Sequence, residues 1–290
     1  MLTIGMRYMI MSALGFSFMA LCVKLSFNAG IPVLEIVAAR ALVSLILSYI
    51  DVQRKGISLL GTNQTLLLMR GLVGALALMC VYYAVATLPL AEAMVLQYTH
   101  PMFTAILALI FLNERIHSGT FWCILLSLVG LVLVAKPSGF VGAPGDALPA
   151  LSVGLALLGA FGSAVAYVLV RKLSNREDSS VIIFYFPLIA LPLALLGLGS
   201  GWVMPQGLTW IWLILVGVFT QVGQVGLTKG MQTETAARAT AFSYLQVLFS
   251  ILLGWFVFAE MPDLFVLLGA LLILIGALLN ILIKPKQLVS

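Results

Sequence analysis

The sequence predicts an all-α integral membrane protein with ten transmembrane helices, arranged as two inverted five-helix repeats. The first observation is composition, because 62% of the 290 residues are hydrophobic, only 9% are charged and the mean hydropathy is +1.17. A soluble core needs far less apolar surface, whereas a hydrocarbon layer of ~30 Å requires about 20 apolar residues per helix. The second observation is a duplicated segment, and the third is the distribution of positive charge.

Ten apolar stretches follow one another along the chain, separated by polar residues and by Gly and Pro. Each reads as one membrane-crossing helix. We expect them at residues 5–27, 34–50, 64–87, 91–112, 119–135, 150–173, 180–198, 208–231, 236–258 and 263–283. The apolar part of the first stretch is too long for a signal peptide, and no small-residue cleavage site ends it, so we expect it to stay in the protein.

The fourth and ninth spans are copies of one another. Residues 91–114 (AEAMVLQYTHPMFTAILALIFLNE) return without a gap, 146 positions later, as residues 237–260 (ARATAFSYLQVLFSILLGWFVFAE). In each copy three polar residues stand at i, i+3 and i+7, which places them on one face of a helix. They are Gln97, His100 and Thr104 in the first copy, and Ser243, Gln246 and Ser250 in the second. Related polar stripes within apolar spans are typical of a transporter's binding cavity.

Five spans per copy is an odd number, so the second copy must enter the membrane from the opposite side. The distribution of Lys and Arg tests this topology, because short cytoplasmic loops are enriched in positive charge. With the N-terminus inside, only Lys24, Arg40 and Lys136 fall at the outer face. The other twelve fall at the cytoplasmic face: Arg7, Arg54, Lys55, Arg70, Arg115, Arg171, Lys172, Arg176, Lys229, Arg238, Lys284 and Lys286.

This distribution sets the predicted organisation of the chain. Residues 1–136 form the first repeat and residues 150–290 the second, with both termini cytoplasmic. Residues 137–149, rich in Gly and Pro, form an external linker. The same bias explains the net charge of +5 without a nucleic-acid partner.

The chain lacks the sequence patterns of an intramembrane enzyme or an ATP-driven pump. It has two histidines, of which His117 lies in a loop, and it contains no HExxH, GxSxG or Walker A motif. Cys22, Cys80 and Cys123 lie within predicted spans and lack the spacing of metal ligands. We therefore expect no cofactor, no metal site and no disulfide.

The order of polar motifs along the chain resembles that of the EamA-type carriers of the drug/metabolite transporter superfamily, and the resemblance covers essentially the whole chain. The motifs that carry it are Lys24, Arg40, Arg70-Gly71, residues 88–93 (LPLAEA), Pro101 and residues 113–115 (NER). The second repeat keeps a weaker match to them at residues 236–239 (AARA) and 259–260 (AE). The RGxxG and LPLAEA pattern is similar to that of the subgroup with bacterial S-adenosylmethionine uptake carriers. The chain departs from the commonest family pattern at Phe16, where tryptophan is usual.

The resemblance implies a carrier with a small organic metabolite as substrate. Amino acids and related zwitterions, S-adenosylmethionine and hydrophobic amines are the leading classes. The eighth span repeats the i, i+3, i+7 spacing with Gln221, Gln224 and Thr228, and several tyrosines add aromatic rings with a polar tip. We predict a substrate site formed by Gln97, Tyr98, His100, Gln221, Gln224, Ser243, Tyr244 and Gln246, with Arg70 and Tyr82 at its margin. Amides and hydroxyls could hydrogen-bond a solute there, or could simply link helices.

Ionisable residues inside a membrane are costly, so each is a functional candidate. Arg40 and Arg70 lie a turn or two inside their spans, where either could pair with a carboxylate or bind an anionic substrate group. Glu35 and Glu92 are the candidate partners of Arg40. Arg171 lies near a helix end and is expected to anchor the topology at the lipid headgroups.

The fourth span also holds a proline and a histidine. Pro101 removes a helical hydrogen bond and should kink the helix beside Gln97 and His100. His100 could carry a coupled proton or could only donate a hydrogen bond. A GxxxG pair, Gly226 and Gly230, predicts close helix packing.

These features together predict a secondary transporter that works by alternating access in a plasma membrane, most simply a prokaryotic one. Its expected partners are a small-molecule metabolite and the lipid bilayer, with no nucleic acid and with a homodimer left open. A flippase for lipid-like solutes and a non-transporting membrane scaffold are the alternatives.

Overall fold

The computed structural model describes residues 3–87, 96–135, 149–199, 201–258 and 264–283, and these residues form eleven α-helices and no strand. In chain order the helices are α1 Ile4–Asn28, α2 Val33–Lys55, α3 Gln64–Thr87, α4 His100–Phe111, α5 Ser118–Ala135, α6 Ala150–Leu173, α7 Ser179–Leu198, α8 Thr209–Thr233, α9 Ala236–Ala241, α10 Leu245–Phe258 and α11 Leu264–Leu282. A 3₁₀ turn, Phe242–Tyr244, joins α9 to α10.

The helices confirm the prediction of a multi-span membrane protein. Among the described residues, eight helical stretches are long and apolar enough to cross a membrane, and two shorter apolar helices accompany them, His100–Phe111 and Ser118–Leu133. The predicted third and sixth spans match α3 and α6 at both ends. The helix α2 runs five residues past its predicted end, because its last turn is polar and it stops only at Gly56, which has a positive φ of 65°.

Some predictions fall on residues outside the described ranges. They concern the LPLAEA motif with Glu92, the start of the fourth span, nearly all of the linker at 137–149, and Glu260 with the loop that follows it.

Helices from the two predicted repeats pack against each other throughout the bundle. The helix α1 packs along α8 and α3 along α6, while α2 packs against α7 and α5 against α11. Glycines permit the closest of these approaches, as predicted for Gly226 and Gly230. A Cβ atom at Gly226 would lie 2.6 Å from the carbonyl oxygen of Tyr8, and one at Gly230 would lie 2.4 Å from the sulfur of Met9.

Ion pairs join loops and helix ends at one end of the bundle, here called the basic end, where α1 begins and α2, α6 and α8 end. Lys55 pairs with Asp178 at 2.9 Å, and Arg171 pairs with Glu114 at 2.7 Å. Arg171 also donates a hydrogen bond to the carbonyl oxygen of Met231. The prediction that Arg171 anchors the protein at the lipid headgroups is therefore wrong, because its guanidinium group faces protein partners.

Glu177 ties the loop between α2 and α3 to the loop between α6 and α7. Its Oε1 atom accepts hydrogen bonds from the backbone N–H groups of Thr62 and Asn63, both at 2.7 Å, and from the Thr62 hydroxyl at 2.6 Å. Burial by itself would raise the pKa of Glu177, but these three hydrogen bonds outweigh burial and hold the pKa below its ordinary value.

Acidification should weaken this connection between the loops. A lowered folded-state pKa means that the stabilising contribution is complete above the unfolded pKa of about 4.3 and is lost as pH falls through the folded value. The side chain of Glu177→Gln stays neutral at every pH. We therefore expect the melting temperature of this variant to fall less than that of the wild type between about pH 5 and about pH 3. Scanning fluorimetry in detergent measures both slopes, and equal slopes would show that Glu177 is not the titrating group.

Candidate substrate site

The two copies of the repeated segment break their helices at the same place. In the first copy a turn at residues 98–99 precedes α4, and Pro101 lies in the first turn of that helix. In the second copy the 3₁₀ turn Phe242–Tyr244 separates α9 from α10. Tyr98 and Tyr244 occupy equivalent positions in the repeat, so the regular α-helical pattern is interrupted at the same depth in both copies. At the second interruption the chain tightens into a 3₁₀ turn and the flanking backbone stays in the right-handed helical region. The break predicted beside Pro101 is present.

The second break forms without a proline, because Val247 takes the place of Pro101. Side-chain hydroxyls bond to helical carbonyls there instead. The Thr240 hydroxyl donates to the carbonyl oxygen of Ala236 at 2.8 Å, and the Ser243 hydroxyl donates to that of Thr240 at 2.6 Å. Such local bonds compete with the regular helical pattern and bend helices.

A small cavity of about 30 Å³ lies where the two broken helices face α1, α6 and α8. Its polar walls are Ser12, His100, Tyr167, Thr240, Ser243 and Gln246, and apolar side chains of α1 and α8 complete it. His100 and Gln246 stand at equivalent positions of the two copies. Three of the predicted site residues, one from the first copy and two from the second, therefore meet at one cavity.

His100 lies in this cavity among aromatic rings. Its side chain is 4% exposed, and its ring centroid is 6.0 Å from that of Tyr98 and 5.2 Å from that of Tyr167. Its Nδ1 atom has no hydrogen-bond partner among the described residues. A buried imidazole nitrogen without a protein partner is free to bond a solute in the cavity.

Tyr98 and Tyr244 lie behind the cavity wall. Their ring centroids are 6.3 Å apart, and both pack in an apolar cluster with Ala105 and Cys123. The Tyr244 hydroxyl is buried and has no partner among the described residues. The two rings hold the broken helices α4 and α9–α10 together, so they support the site from behind.

Two serines join the breaks to the neighbouring helices, one as an acceptor and one as a donor. Ser163 of α6 accepts a hydrogen bond from Gln97 at 3.5 Å, and Ser17 of α1 donates to the carbonyl oxygen of Gln246 at 3.1 Å. Ser163 also donates to the carbonyl four residues earlier in its own helix, and Ser17 shares its one hydroxyl proton between Gln246 and the carbonyl of Ala13. The two serines are 146 positions apart, which is the spacing of the repeat.

Gln221, Gln224 and Tyr82 lie outside the walls of this cavity. Gln221 donates a hydrogen bond at 2.9 Å to Ser48 of α2, which is a link between helices. The Gln224 side chain is buried, and its Oε1 atom has no partner among the described residues. Tyr82 packs against a small apolar cluster formed by α2 and α7.

Arg70 and Arg40 are both buried, and they share one aromatic ring. The guanidinium carbon of Arg70 lies 5.0 Å from the centre of the Phe186 ring, and that of Arg40 lies 5.6 Å from it. Glu35, one of the two predicted partners, instead accepts a hydrogen bond from the backbone N–H of Val203 at 2.9 Å. The other predicted partner, Glu92, lies outside the described residues.

Tyr167 is one of the tyrosines that the sequence analysis associates with the cavity, but it was left out of the predicted set of site residues. A signal for it exists in α6, where Ser163, Tyr167 and Arg171 stand at i, i+4 and i+8 and so share one face. In the structure each of the three contacts the fourth span or the loop after it: Ser163 contacts Gln97, Tyr167 contacts His100, and Arg171 contacts Glu114.

A larger cavity, of about 190 Å³, opens at the basic end. It is lined by helix ends and by the loop after α6, including Lys172 and Arg176, and contains no residue of the polar stripes. Size alone would favour this cavity. The smaller one is the better candidate for a substrate site, because buried polar groups from both copies converge there.

A helical bundle with many apolar spans and a buried polar site between two copies of one unit defines a multi-pass membrane protein of the transporter class. The family model of the EamA-like transporter family matches residues 3–136 and 150–282. The chain therefore belongs to the EamA-like transporter family, as the sequence motifs predicted.

Named relatives in this family are transporters and not enzymes. The chain is 32% identical over 275 residues to Pseudopaline exporter CntI of Pseudomonas aeruginosa strain UCBPP-PA14, covering 94% of each chain. It is 28% identical to Solute carrier family 35 member G1 of Mus musculus, over 94% of this chain and 77% of that one. It is 26% identical to the S-adenosylmethionine uptake transporter of Rickettsia felis, over 77% and 73%.

A solved crystal structure shares the fold. It matches with a TM-score of 0.76 at 20% sequence identity and covers 93% of this chain and 95% of the other. The family and the relatives support a small-molecule substrate and a membrane setting. They give no support to the homodimer that the sequence left open.

Proposed function

We propose that this chain is a secondary carrier that moves a small organic metabolite across a membrane by alternating access. The observation that carries the proposal is the meeting of His100, Ser243 and Gln246 at one buried cavity. These residues belong to the polar stripes of the two copies, and in each copy the stripe lies where the helix is interrupted. Broken helices between repeated halves are where carriers of this kind bind their substrates.

The proposed architecture has ten spans in two inverted halves, residues 1–136 and 150–290, with residues 137–149 as an external linker and both termini in the cytoplasm of a plasma membrane. The packing supports this arrangement. The helices α1, α2, α3 and α5 of the first half correspond to α6, α7, α8 and α11 of the second. A twofold axis therefore requires that α6 packs against α3 as α1 packs against α8, and both contacts are present. The α2–α7 and α5–α11 contacts each join a helix to its own equivalent, as the same axis requires. The ion pairs at the basic end agree with a cytoplasmic face rich in Lys and Arg.

Transport requires the helices around the cavity to move. A cavity of about 30 Å³ has room for little more than a water molecule or two, whereas sites for small organic ligands measure about 300–1,000 Å³. The cavity enlarges if α1 and α6 move away from the two broken helices. The ion pair of Glu114 with Arg171 crosses from one half to the other, so opening of the basic end must separate these residues.

The proposed substrate is an amino acid, a zwitterion related to S-adenosylmethionine, or an amphipathic amine. Hydroxyl, amide and imidazole groups line the cavity beside the ring of Tyr167, which suits a solute with both polar and apolar parts. One relative is named as an S-adenosylmethionine uptake transporter, which is the second of these classes, and another is named as a pseudopaline exporter.

Transport by a double cavity variant tests the proposal. A thermal-shift screen of amino acids, S-adenosylmethionine, nucleotides and lipophilic amines first identifies a ligand, since binding to the folded state raises its stability. Uptake of that ligand is then measured in proteoliposomes. We expect His100→Ala with Gln246→Ala to lower the initial rate by about fivefold or more, because two lost hydrogen bonds cost about 1–3 kcal/mol and 1.4 kcal/mol is about tenfold.

Gln221→Ala is the matched control, because its amide bonds to Ser48 and lies outside the cavity walls. We expect this variant to keep the uptake affinity of the wild type. Full transport by a well-expressed double variant would show that the polar stripes only pack helices.

A further inference from the structure

Two arginines are buried side by side without a carboxylate among the described residues. Arg40 of α2 is 7% exposed and Arg70 of α3 is 3% exposed, and both lie within cation–π range of Phe186 in α7. The Nε atom of Arg40 and the Nε and Nη1 atoms of Arg70 are buried without a hydrogen-bond partner in the described parts of the chain. Burying two like charges together in an apolar bundle is costly.

The aromatic contact does not compensate for this cost. A desolvated cation–π contact contributes about 2 kcal/mol, while an unpaired buried ion costs several kcal/mol. Two other arginines with little exposure have acidic partners. Arg238, which is 5% exposed, pairs with Glu234, and Arg171 pairs with Glu114. The Arg40–Arg70 pair differs from these two arginines because, among the described residues, its positive charges have no carboxylate partner and several of its N–H groups have no acceptor.

The pair adjoins the candidate cavity through one side chain. Tyr167 lines the cavity beside His100 and interacts electrostatically with both arginines. Gly74 leaves room for the Arg70 guanidinium group, because a Cβ atom there would lie 2.6 Å from Nη1. Tyr167 is therefore the residue that the cavity and the arginine pair have in common.

We propose that Arg40 and Arg70 form a subsite for an oxyanionic group of the transported solute, a carboxylate or a phosphate. This inference rests on the proposed carrier function and narrows its substrate class to organic anions and zwitterions. Guanidinium groups bind such oxyanions through paired, charge-assisted hydrogen bonds. A bound carboxylate offsets one of the two charges, a phosphate offsets most of both, and either accepts hydrogen bonds from the free N–H donors. A neutral or purely cationic amine gains nothing there.

Matched anions and amides test the charge preference. The purified full chain in detergent is heated with succinate and with succinamide, its neutral counterpart without a carboxylate, and separately with inorganic phosphate. We expect at least one of the anions to raise the melting temperature in a saturable way and succinamide to leave it unchanged. Equal stabilisation by acid and amide, or no effect of any anion on the wild type, overturns the subsite.

Arginine substitutions test the location. We expect Arg70→Gln and Arg40→Gln to abolish stabilisation by the anion, and Arg70→Lys to retain part of it. Without ligand, Arg70→Gln should melt no lower than the wild type, because it removes an unpaired buried charge. Arg238→Gln is the control, since it breaks a buried pair and should lower the melting temperature while leaving anion stabilisation intact.

Two further outcomes separate the possible explanations. A fall in ligand-free melting temperature for Arg70→Gln, with anion stabilisation retained, assigns the pair a packing role and overturns the subsite. Repeating the titration with added phosphatidylglycerol separates binding of a soluble anion from binding of a lipid headgroup. If the lipid raises the melting temperature and the soluble anion then has no further effect, the proposed solute subsite is overturned. Transport of a neutral solute that survives Arg70→Gln contradicts the subsite and leaves the carrier function standing, whereas no transport of any ligand contradicts the carrier function itself.

Discussion

The Glu114→Ala variant is expected to lose about 2–4 kcal/mol of unfolding free energy, somewhat less than the roughly 3–5 kcal/mol of a fully buried pair. The discount applies because the two paired side chains are 13% and 18% exposed. Glu114 has two partners in the second half of the chain. Its Oε1 atom accepts from Arg171 at 2.7 Å, and its Oε2 atom accepts from the backbone N–H of Ala236, the first residue of α9, also at 2.7 Å.

Removing Glu114 affects both partners at once. Arg171 keeps its bond to the carbonyl oxygen of Met231 but loses its counter-charge, and α9 loses a carboxylate at its N-terminus, where a negative charge is favourable. The carboxylate is held in place by the preceding residue. Asn113 has a φ of 53°, a left-handed conformation that asparagine tolerates better than most residues.

Two further variants separate the ion pair from the helix cap. Glu114→Gln keeps an acceptor for the Ala236 N–H group but leaves Arg171 unpaired, so we expect it to recover only part of the loss. Combining Glu114→Gln with Arg171→Gln removes both charges and should be more stable than Glu114→Gln alone. Denaturation followed by fluorimetry gives all the values. A wild-type melting temperature for Glu114→Ala would mean that this contact does not hold the basic end together.

The spans could be predicted closely because a membrane-crossing helix leaves a continuous local signal. The bounds of α3 and α6 follow from polar and Gly/Pro breaks alone. The break in the ninth span could not be predicted in that way. It involves hydroxyl bonds from Thr240 and Ser243, and serine and threonine make such bonds in many helices without ending them.

The site could be predicted where the repeat constrains it. His100 and Gln246 meet because equivalent faces of two copies turn toward the same centre. Contacts between distant segments leave no comparable pattern. Gln221 shows the same spacing as the cavity residues, yet it bonds to Ser48, which lies 173 positions earlier in the chain. Periodicity identifies a polar face, and only the packing of helices decides what that face meets.

Two glycine-to-alanine substitutions in helices are expected to change stability in opposite directions. Gly226 of α8 lies against α1, and an added Cβ atom would fall 2.6 Å from the carbonyl oxygen of Tyr8 and 2.8 Å from the backbone nitrogen of Ser12. Both neighbours are backbone atoms, so relief requires α1 to move as a whole. We expect Gly226→Ala to cost at least about 2 kcal/mol, within the range for overpacked cores.

Gly154 of α6 provides the matched control. No heavy atom lies within 4 Å of the Cβ position there, so alanine meets open space and should stabilise the helix by about 0.5–1 kcal/mol. Melting temperature and the fraction of monodisperse protein after gel filtration measure both variants. Because α1 also carries Ser12 and Phe16 of the cavity wall, a shift of this helix would reach the candidate site. If the melting temperature of Gly226→Ala equals or exceeds that of Gly154→Ala, then α1 does not pack against α8 as closely as the structure places it. The residues that line the cavity must then be assigned again.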